Sequence, residues 1–507
     1  MKKSMMTVSS KIFDELDKLF YPKSIALFGA SNKIKIGTIS LLTILAGDYK
    51  GKIYPIHPRD ESILGIKAYP RLKDLPKQVD LAIISVPAKN VPSVMEDCVD
   101  NGVSSAIIYS SNFSEVGEEG RRLEEEVIRI ARKGGIHFVG PNCMGIVNTS
   151  INLYALMNLS IPRKGDVSMV SQSGTLGTIS MMNASSHGVG LNKFVSSGNE
   201  ADLKMEDYIE YLIEDEDTRV IVAFIEGTRS GKRFIDVAEK ATDKKPFIVL
   251  KGGTTTAGSR AAHSHTGSMA GSDKIYDAFF RQKGVIRADD EQDMVNLTKG
   301  FSRSILPRGK NVAIYTAGGG FGVLASDTCE KNGLNVAKLS NETIKKLNKI
   351  LPPFWSHGNP VDITASGGMN FDSRINIESI EILLAAEEVD SVIFMEFNPN
   401  DYTNMMFREI PNEDIRNVIR MALDAGLLNG KSGTKEIIEL KERYNKPMIC
   451  VNISGRYSKD DKILEDSGVP VYLTTSDAAR VLSKLLYYNE FINKKRQVVD
   501  IKERITK

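Results

Sequence analysis

A chain of 507 residues is too long for one hydrophobic core and points to about three domains. A formal net charge of +2, with 26% charged and 41% hydrophobic residues, gives no overall field that would draw in nucleic acid or an anionic membrane. The four cysteines, Cys98, Cys143, Cys329 and Cys450, lie far apart without metal-ligand spacing, so neither a disulfide framework nor a metal site is expected, and a reducing cytoplasm is the expected location.

Near the start, Ile12, Phe13, Leu16, Leu19 and Phe20 recur at helical spacing, predicting a short amphipathic helix rather than a leader. No later stretch is apolar enough to span a bilayer. From Ser24 onward, short Val/Ile-rich runs end in Gly, Ser, Pro or Asn and alternate with longer charged segments, the pattern of βα units on parallel sheets. These runs begin at Ser24, Lys52, Leu81, Ser105 and His137, then at Val167, Lys193, Val220, Pro246 and Gly284, and finally at Asn311, Asn335, Ser391, Pro447 and Pro470. Three groups of about five strands predict three doubly wound α/β domains in series, at 1–148, 149–305 and 306–507, with an insertion near 398–433.

In the first group, strand one ends in Gly29-Ala30-Ser31-Asn32 and Gly37 opens the next helix. Small residues at that bend let backbone N–H groups approach a pyrophosphate, although a tight turn alone also calls for glycine. Strand two ends in Pro55-Ile56-His57-Pro58-Arg59, where a dinucleotide site would carry Asp or Glu. Arg59 suits a ribose bearing phosphate, as in CoA or NADP. Ser85-Val86-Pro87 and Ser110-Ser111-Asn112 end strands three and four at the ligand-binding edge.

In the second group, Ser171-Gln172-Ser173-Gly174-Thr175 predicts a strand, a turn and a helix whose free amides bind phosphate, and Ser197-Gly198-Asn199-Glu200 makes a similar turn. Ser171 stands where a nucleophile elbow needs glycine, and Gly227 to Lys232 is one residue short of a Walker loop. The stretch from Lys251 to Ser272 is rich in Gly, Ser and Thr, contains no acidic residue, and carries Arg260, His263 and His265. A dianionic phosphoryl group would meet no repulsion there, and a neutral imidazole is a suitable nucleophile near pH 7. Glu226, at the end of an apolar strand, is the candidate to hold the tautomer; the residues alone leave His263 and His265 as rivals.

These motifs, with Gly140-Pro141-Asn142-Cys143-Met144-Gly145, Thr316-Ala317-Gly318-Gly319-Gly320 and Asn359-Pro360-Val361-Asp362, occur in an order that resembles the α subunit of ADP-forming acetyl-CoA synthetases, relatives of the succinyl-CoA synthetase α subunit. The resemblance covers nearly the whole chain. It implies a Rossmann-like CoA-binding domain followed by two flavodoxin-like domains, and the reaction acid + CoA + ATP ⇌ acyl-CoA + ADP + phosphate through an acyl phosphate and a phosphohistidine. The phosphorylated residue falls on His265 and its orienting carboxylate on Glu226. CoA is placed by Gly29, Ala30, Ser31, Asn32, Arg59, Ser85, Val86, Pro87, Ser110, Ser111 and Asn112. Acyl phosphate or phosphate is placed by Asn142, Ser173, Gly174, Thr175, Gly198 and Asn199. Because no ATP-grasp domain follows the third group, the resemblance implies a separate β subunit in a hetero-oligomer, holding ATP or ADP and Mg2+, with the His265 loop moving between sites. A non-catalytic CoA-binding scaffold and an NADP-dependent oxidoreductase are the competing readings.

Overall fold

The computed structural model describes residues 12–260, 272–363, 373–396, 410–425, 433–452 and 458–506. The first sheet is built from β1 (Ser24–Phe28), β2 (Lys52–Ile56), β3 (Leu81–Ile84), β4 (Ser105–Ile108) and β5 (His137–Val139). All its pairings are parallel, in the order β2-β1-β3-β4-β5. The central strands are nearly continuous Val, Ile, Leu and Ala because helices cover both faces and bury their side chains, while the edge strand β2 leaves Lys52 exposed. The order reverses between β1 and β3, so their carboxyl ends diverge and leave a crevice.

The chain enters the second sheet at β6 (Gly145–Asn148) and β7 (Leu153–Leu156), an antiparallel pair that the sequence reading did not anticipate. There follow β8 (Lys164–Ser171), β9 (Leu191–Ser196), β10 (Val220–Ile225), β11 (Phe247–Lys251) and β12 (Ile286–Ala288). The spatial order is β12-β11-β10-β8-β9-β6-β7, parallel except where β6 meets β9 and β7. Its parallel part repeats the order of the first sheet, with the reversal between β8 and β10. One hydrophobic cluster joins the two sheets, running from Leu16 and Phe20 through Ile25, Leu27 and Ile146 to Val195 and Phe247. Each such aliphatic or aromatic side chain removed from water contributes about 1.5–3 kcal/mol.

The predicted N-terminal helix spans residues 12–20. Phe13 and Phe20 stack on Tyr211 with ring centroids 4.7 and 5.0 Å away. Beneath them Lys193, fully buried, places its ammonium 2.9 Å from both oxygens of Asp215 and against the faces of Phe20, Tyr21 and Tyr211.

Residues divide by packing into Met1–Thr298 and Lys299–Lys507. The second unit has its own sheet of β13 (Asn311–Thr316), β14 (Asn335–Val336), β15 (Val361–Asp362), β16 (Ser391–Glu396), β17 (Met448–Asn452) and β18 (Val471–Tyr472). Its order is β14-β13-β16-β17-β18, with β15, a short strand absent from the sequence reading, added to β13. All three sheets thus share one winding, a Rossmann-like domain followed by two flavodoxin-like ones. In the region expected to hold an insertion, a helix occupies Glu413–Asp424. No described helix is long and apolar enough to cross a membrane.

Candidate functional site

A cavity of about 640 Å³ opens where the carboxyl ends of the first two sheets meet. From the first sheet it takes Gly29, Ser85, Val86, Pro87, Ser110, Ser111, Asn112, Asn142 and Met144; from the second it takes Gln172, Ser173, Gly174, Thr175, Gly198, Asn199 and Glu200. Two helix starts face it. One is α1 (Ile36–Ala46), reached through Lys35 and Ile36; the other is α2 (Gly174–Ser186), whose N-cap Ser173 makes no side-chain capping bond. Orphan amides and the positive dipole end at each start favour an anion.

The backbone at these ends is tight for identifiable reasons. Gly29 has φ 88°, and a Cβ there would sit 2.0 Å from the Ser85 carbonyl oxygen, so the turn at the reversal of the first sheet accepts only glycine. Gly198, with φ 61°, would drive a Cβ to 2.3 Å from the Pro141 carbonyl oxygen. Asn112 and Asn142 also have positive φ, 74° and 57°, a region that asparagine tolerates better than most residues.

Hydrogen bonds lock the two rims together. Asn142 donates from its amide to Asn199 Oδ1 at 3.3 Å, and Met144 N–H donates to Ser196 Oγ at 2.9 Å. Asn199 Nδ2 donates to Glu115 Oε2 at 2.6 Å and Glu124 Oε2 at 3.0 Å, while its carbonyl accepts from Arg229 at 2.6 Å. Asn199 is therefore on the wall with its amide committed to carboxylates, which makes it a bridge between the loops.

Ala30, Ser31, Asn32 and Arg59 are not on the cavity wall. Ser31 exchanges hydrogen bonds with the Thr38 hydroxyl through its backbone, at 3.1 and 2.9 Å, which shapes the loop before α1. Asn32 holds a small hairpin through Ser62 O at 3.0 Å and Leu64 N at 3.2 Å. Arg59 is exposed beyond β2, with its N–H directed to His57 Nδ1 at 3.4 Å. His265 and His263 lie outside the described residues.

Glu226 follows β10 at the reversal of the second sheet and is half-buried. Gln172, across that reversal, accepts from the N–H groups of Glu226 at 2.6 Å and Gly227 at 3.2 Å, and donates to the Gly227 carbonyl at 2.9 Å. Lys251 donates to the Glu226 carbonyl at 2.7 Å, and burial holds its ammonium below the usual lysine range. The turn that presents the Glu226 carboxylate is thus fixed from both neighbouring strands.

Among the wall residues that sequence reasoning passed over are Lys35, Gln172, Glu200 and Arg229. Gln172 and Glu200 stood inside quoted motifs, but only the register of β8, β9 and β10 brings their side chains together. Glu200 is 5% exposed; burial pushes its carboxyl up to about 7, against the Ser197 hydrogen bond, which lowers it.

Three family descriptions match along the chain: a CoA binding domain at residues 23–149, a succinyl-CoA ligase like flavodoxin domain at 164–301 and a ligase-CoA domain at 312–444. The acetate–CoA ligase [ADP-forming] II subunit alpha of Pyrococcus furiosus is 39% identical, over 92% of this chain and 96% of its own. The chain belongs to the ADP-forming acetate–CoA ligase α-subunit family. The acetate–CoA ligase [ADP-forming] of Methanocaldococcus jannaschii is 38% identical over 94% of this chain, which spans only 63% of that longer relative. Among solved structures, the dinucleotide forming acetyl-coenzyme A synthetase 1 of Candidatus Korarchaeum cryptofilum, in complex with phosphate and ADP, superposes with a TM-score of 0.80 at 32% identity, covering 95% of this chain and 98% of that one. For this ligase family member, the cavity at the end of the CoA-binding domain is the natural place to look for chemistry.

Proposed function

We propose that this chain is the CoA-binding, phosphohistidine-carrying subunit of an acid–CoA ligase, catalysing acid + CoA + ATP ⇌ acyl-CoA + ADP + phosphate. The observation that carries this reading is that one cavity presents two helix starts to its interior, α1 and α2. CoA carries its thiol at the end of the pantetheine arm, away from its pyrophosphate, so one helix start for the pyrophosphate and a second for the acyl phosphate within one cavity suit that pair.

In this reading CoA extends along Gly29, Ser85, Val86, Pro87 and Ser110 to Asn112, while Arg59 and the loop of Ala30, Ser31 and Asn32 border its phosphorylated ribose outside the cavity. The acyl phosphate sits on the amides of Gly174 and Thr175. Its phosphoryl group passes to His265, with Glu226 accepting the proton on the second ring nitrogen. Phospho-His265 then delivers the group to a nucleotide. We place ATP, ADP and Mg2+ on a β subunit of the ATP-grasp type, in a hetero-oligomer of the cytoplasm. Relatives named as α subunits, and others whose single chains are longer, support the need for a further domain.

The test is intact mass spectrometry under alkaline conditions after incubating the chain with phosphate and a panel of acyl-CoAs. A single added phosphoryl group is expected in the native protein and in His263→Asn, and none in His265→Asn; the acyl-CoA that supports it names the acid. A chain that binds CoA yet is never phosphorylated would be a non-catalytic scaffold.

A further inference from the structure

Glu200 has no task in the relay just described, yet its carboxyl is held in an unusual way. It follows β9 with a left-handed backbone, φ 53°, a conformation that costs energy for a glutamate. Oε1 accepts from Ser197 Oγ at 2.8 Å and from Gln172 Nε2 at 3.2 Å. Among the described residues Oε2 accepts nothing, and Glu200 belongs to the same cavity wall as Gly174 and Thr175. A glutamine would fill this space equally well and would avoid desolvating a carboxylate. What it lacks is the ability to take and return a proton.

We propose that Glu200 is the proton acceptor for the CoA thiol in thioester formation, with Ser197 and Gln172 as positioning residues that hold Oε1 and leave Oε2 for the substrate. The proposal rests on CoA and acyl phosphate sharing this cavity. As sulfur attacks the acyl carbon, the S–H proton moves to Oε2 and the S–C bond forms. The C–O bond to the phosphate breaks, and its electron pair leaves on the phosphate oxygen. Glu200 returns the proton to that phosphate, released as hydrogen phosphate, and the carboxylate is restored with nothing oxidised or reduced. In the reverse direction the protonated acid supplies the departing thiolate.

The surroundings suit a group that changes charge near neutrality. Burial is the main influence on the carboxyl; Glu206 adds a like charge, while Arg229 and the bonds from Ser197 and Gln172 favour the anion. Lys204 donates to the Glu200 backbone carbonyl, and Lys35 and Glu115 complete the charged groups on the wall. A base working near its own pKa is at its most effective.

Two reactions of the full chain separate the outcomes. One converts acetyl, propionyl or butyryl phosphate plus CoA to the thioester; the other phosphorylates the chain from the same acyl phosphate and needs no thiol. Glu200→Gln is expected to slow the first by about 100-fold or more while the second persists, which also shows that the variant is folded. Glu200→Asp should recover part of the rate, and the acid limb of the native pH profile should vanish in Glu200→Gln. Equal slowing of both reactions, or an unchanged thioester rate, overturns the role of Glu200. A native chain inert in both overturns the acyl-phosphate reading itself, and the base with it.

Discussion

Three side chains show how a single residue answers to its surroundings. Glu200 holds its proton up to about pH 7, whereas in the unfolded chain it would titrate near the ordinary 4.5. Between those values the native state binds more protons than the unfolded state, so this contribution to stability falls as pH rises through that window. Denaturant unfolding at several pH values should show a shallower decline from pH 5 to 7 in Glu200→Gln than in the native chain. His137 runs in the same direction on the positive side: its bond to Asp202 at 2.8 Å raises its pKa above the usual histidine value. Its stabilisation is complete below the unfolded pKa and is lost as pH climbs through the raised one. Gln172 is the counterpart among neutral groups. Gln172→Ala leaves the Glu226 and Gly227 N–H groups without their acceptor, which is expected to cost about 1–3 kcal/mol in unfolding free energy and to slow phosphorylation of the chain more than it weakens CoA binding.

At the scale of elements, the β1 to α1 turn depends on having no side chain at Gly29. Gly29→Ala meets the Ser85 carbonyl at 2.0 Å as well as a positive φ, so strand three must be displaced. Calorimetry should register loss of CoA binding together with a lower melting temperature. The N-terminal helix depends on Lys193 in a different way. Lys193→Met keeps the apolar stem but leaves Asp215 buried and 8% exposed at its carboxylate, without its ammonium partner. Breaking a buried pair from one side costs about 3–5 kcal/mol, measurable by urea denaturation, and should expose residues 12–20 to proteolysis first. The antiparallel pair β6 and β7 was not foreseen because Gly145–Asn148 and Leu153–Leu156 are four residues each, separated by a short turn. In sequence they look like the tail of one domain and the start of the next; only the pairing of β6 with β9, and of β7 with β6, makes them strands.

At the scale of the whole molecule, all four cysteines are buried. Burial pushes the thiols of Cys143 and Cys329 up to about 12 and that of Cys98 higher still. A thiol reagent is therefore expected to react with the native chain slowly, and with four equivalents only after unfolding; rapid labelling of any one would contradict the packing. The amino-acid pattern by itself determined the class of fold, βα units on parallel sheets, because a strand buried on both faces must be a short run of Val, Ile and Leu. It also located the turns where such sheets bind ligands, since Gly29, Ser85, Ser110 and Ser173 stand at strand ends whatever the packing. Only the tertiary structure decided which turns share a cavity, that Ser31, Asn32 and Arg59 stand outside its wall, and that Glu200 stands on it. Those facts depend on the relative register of β8, β9 and β10 and on the core that joins two sheets, contacts between residues far apart in the chain that no local pattern encodes.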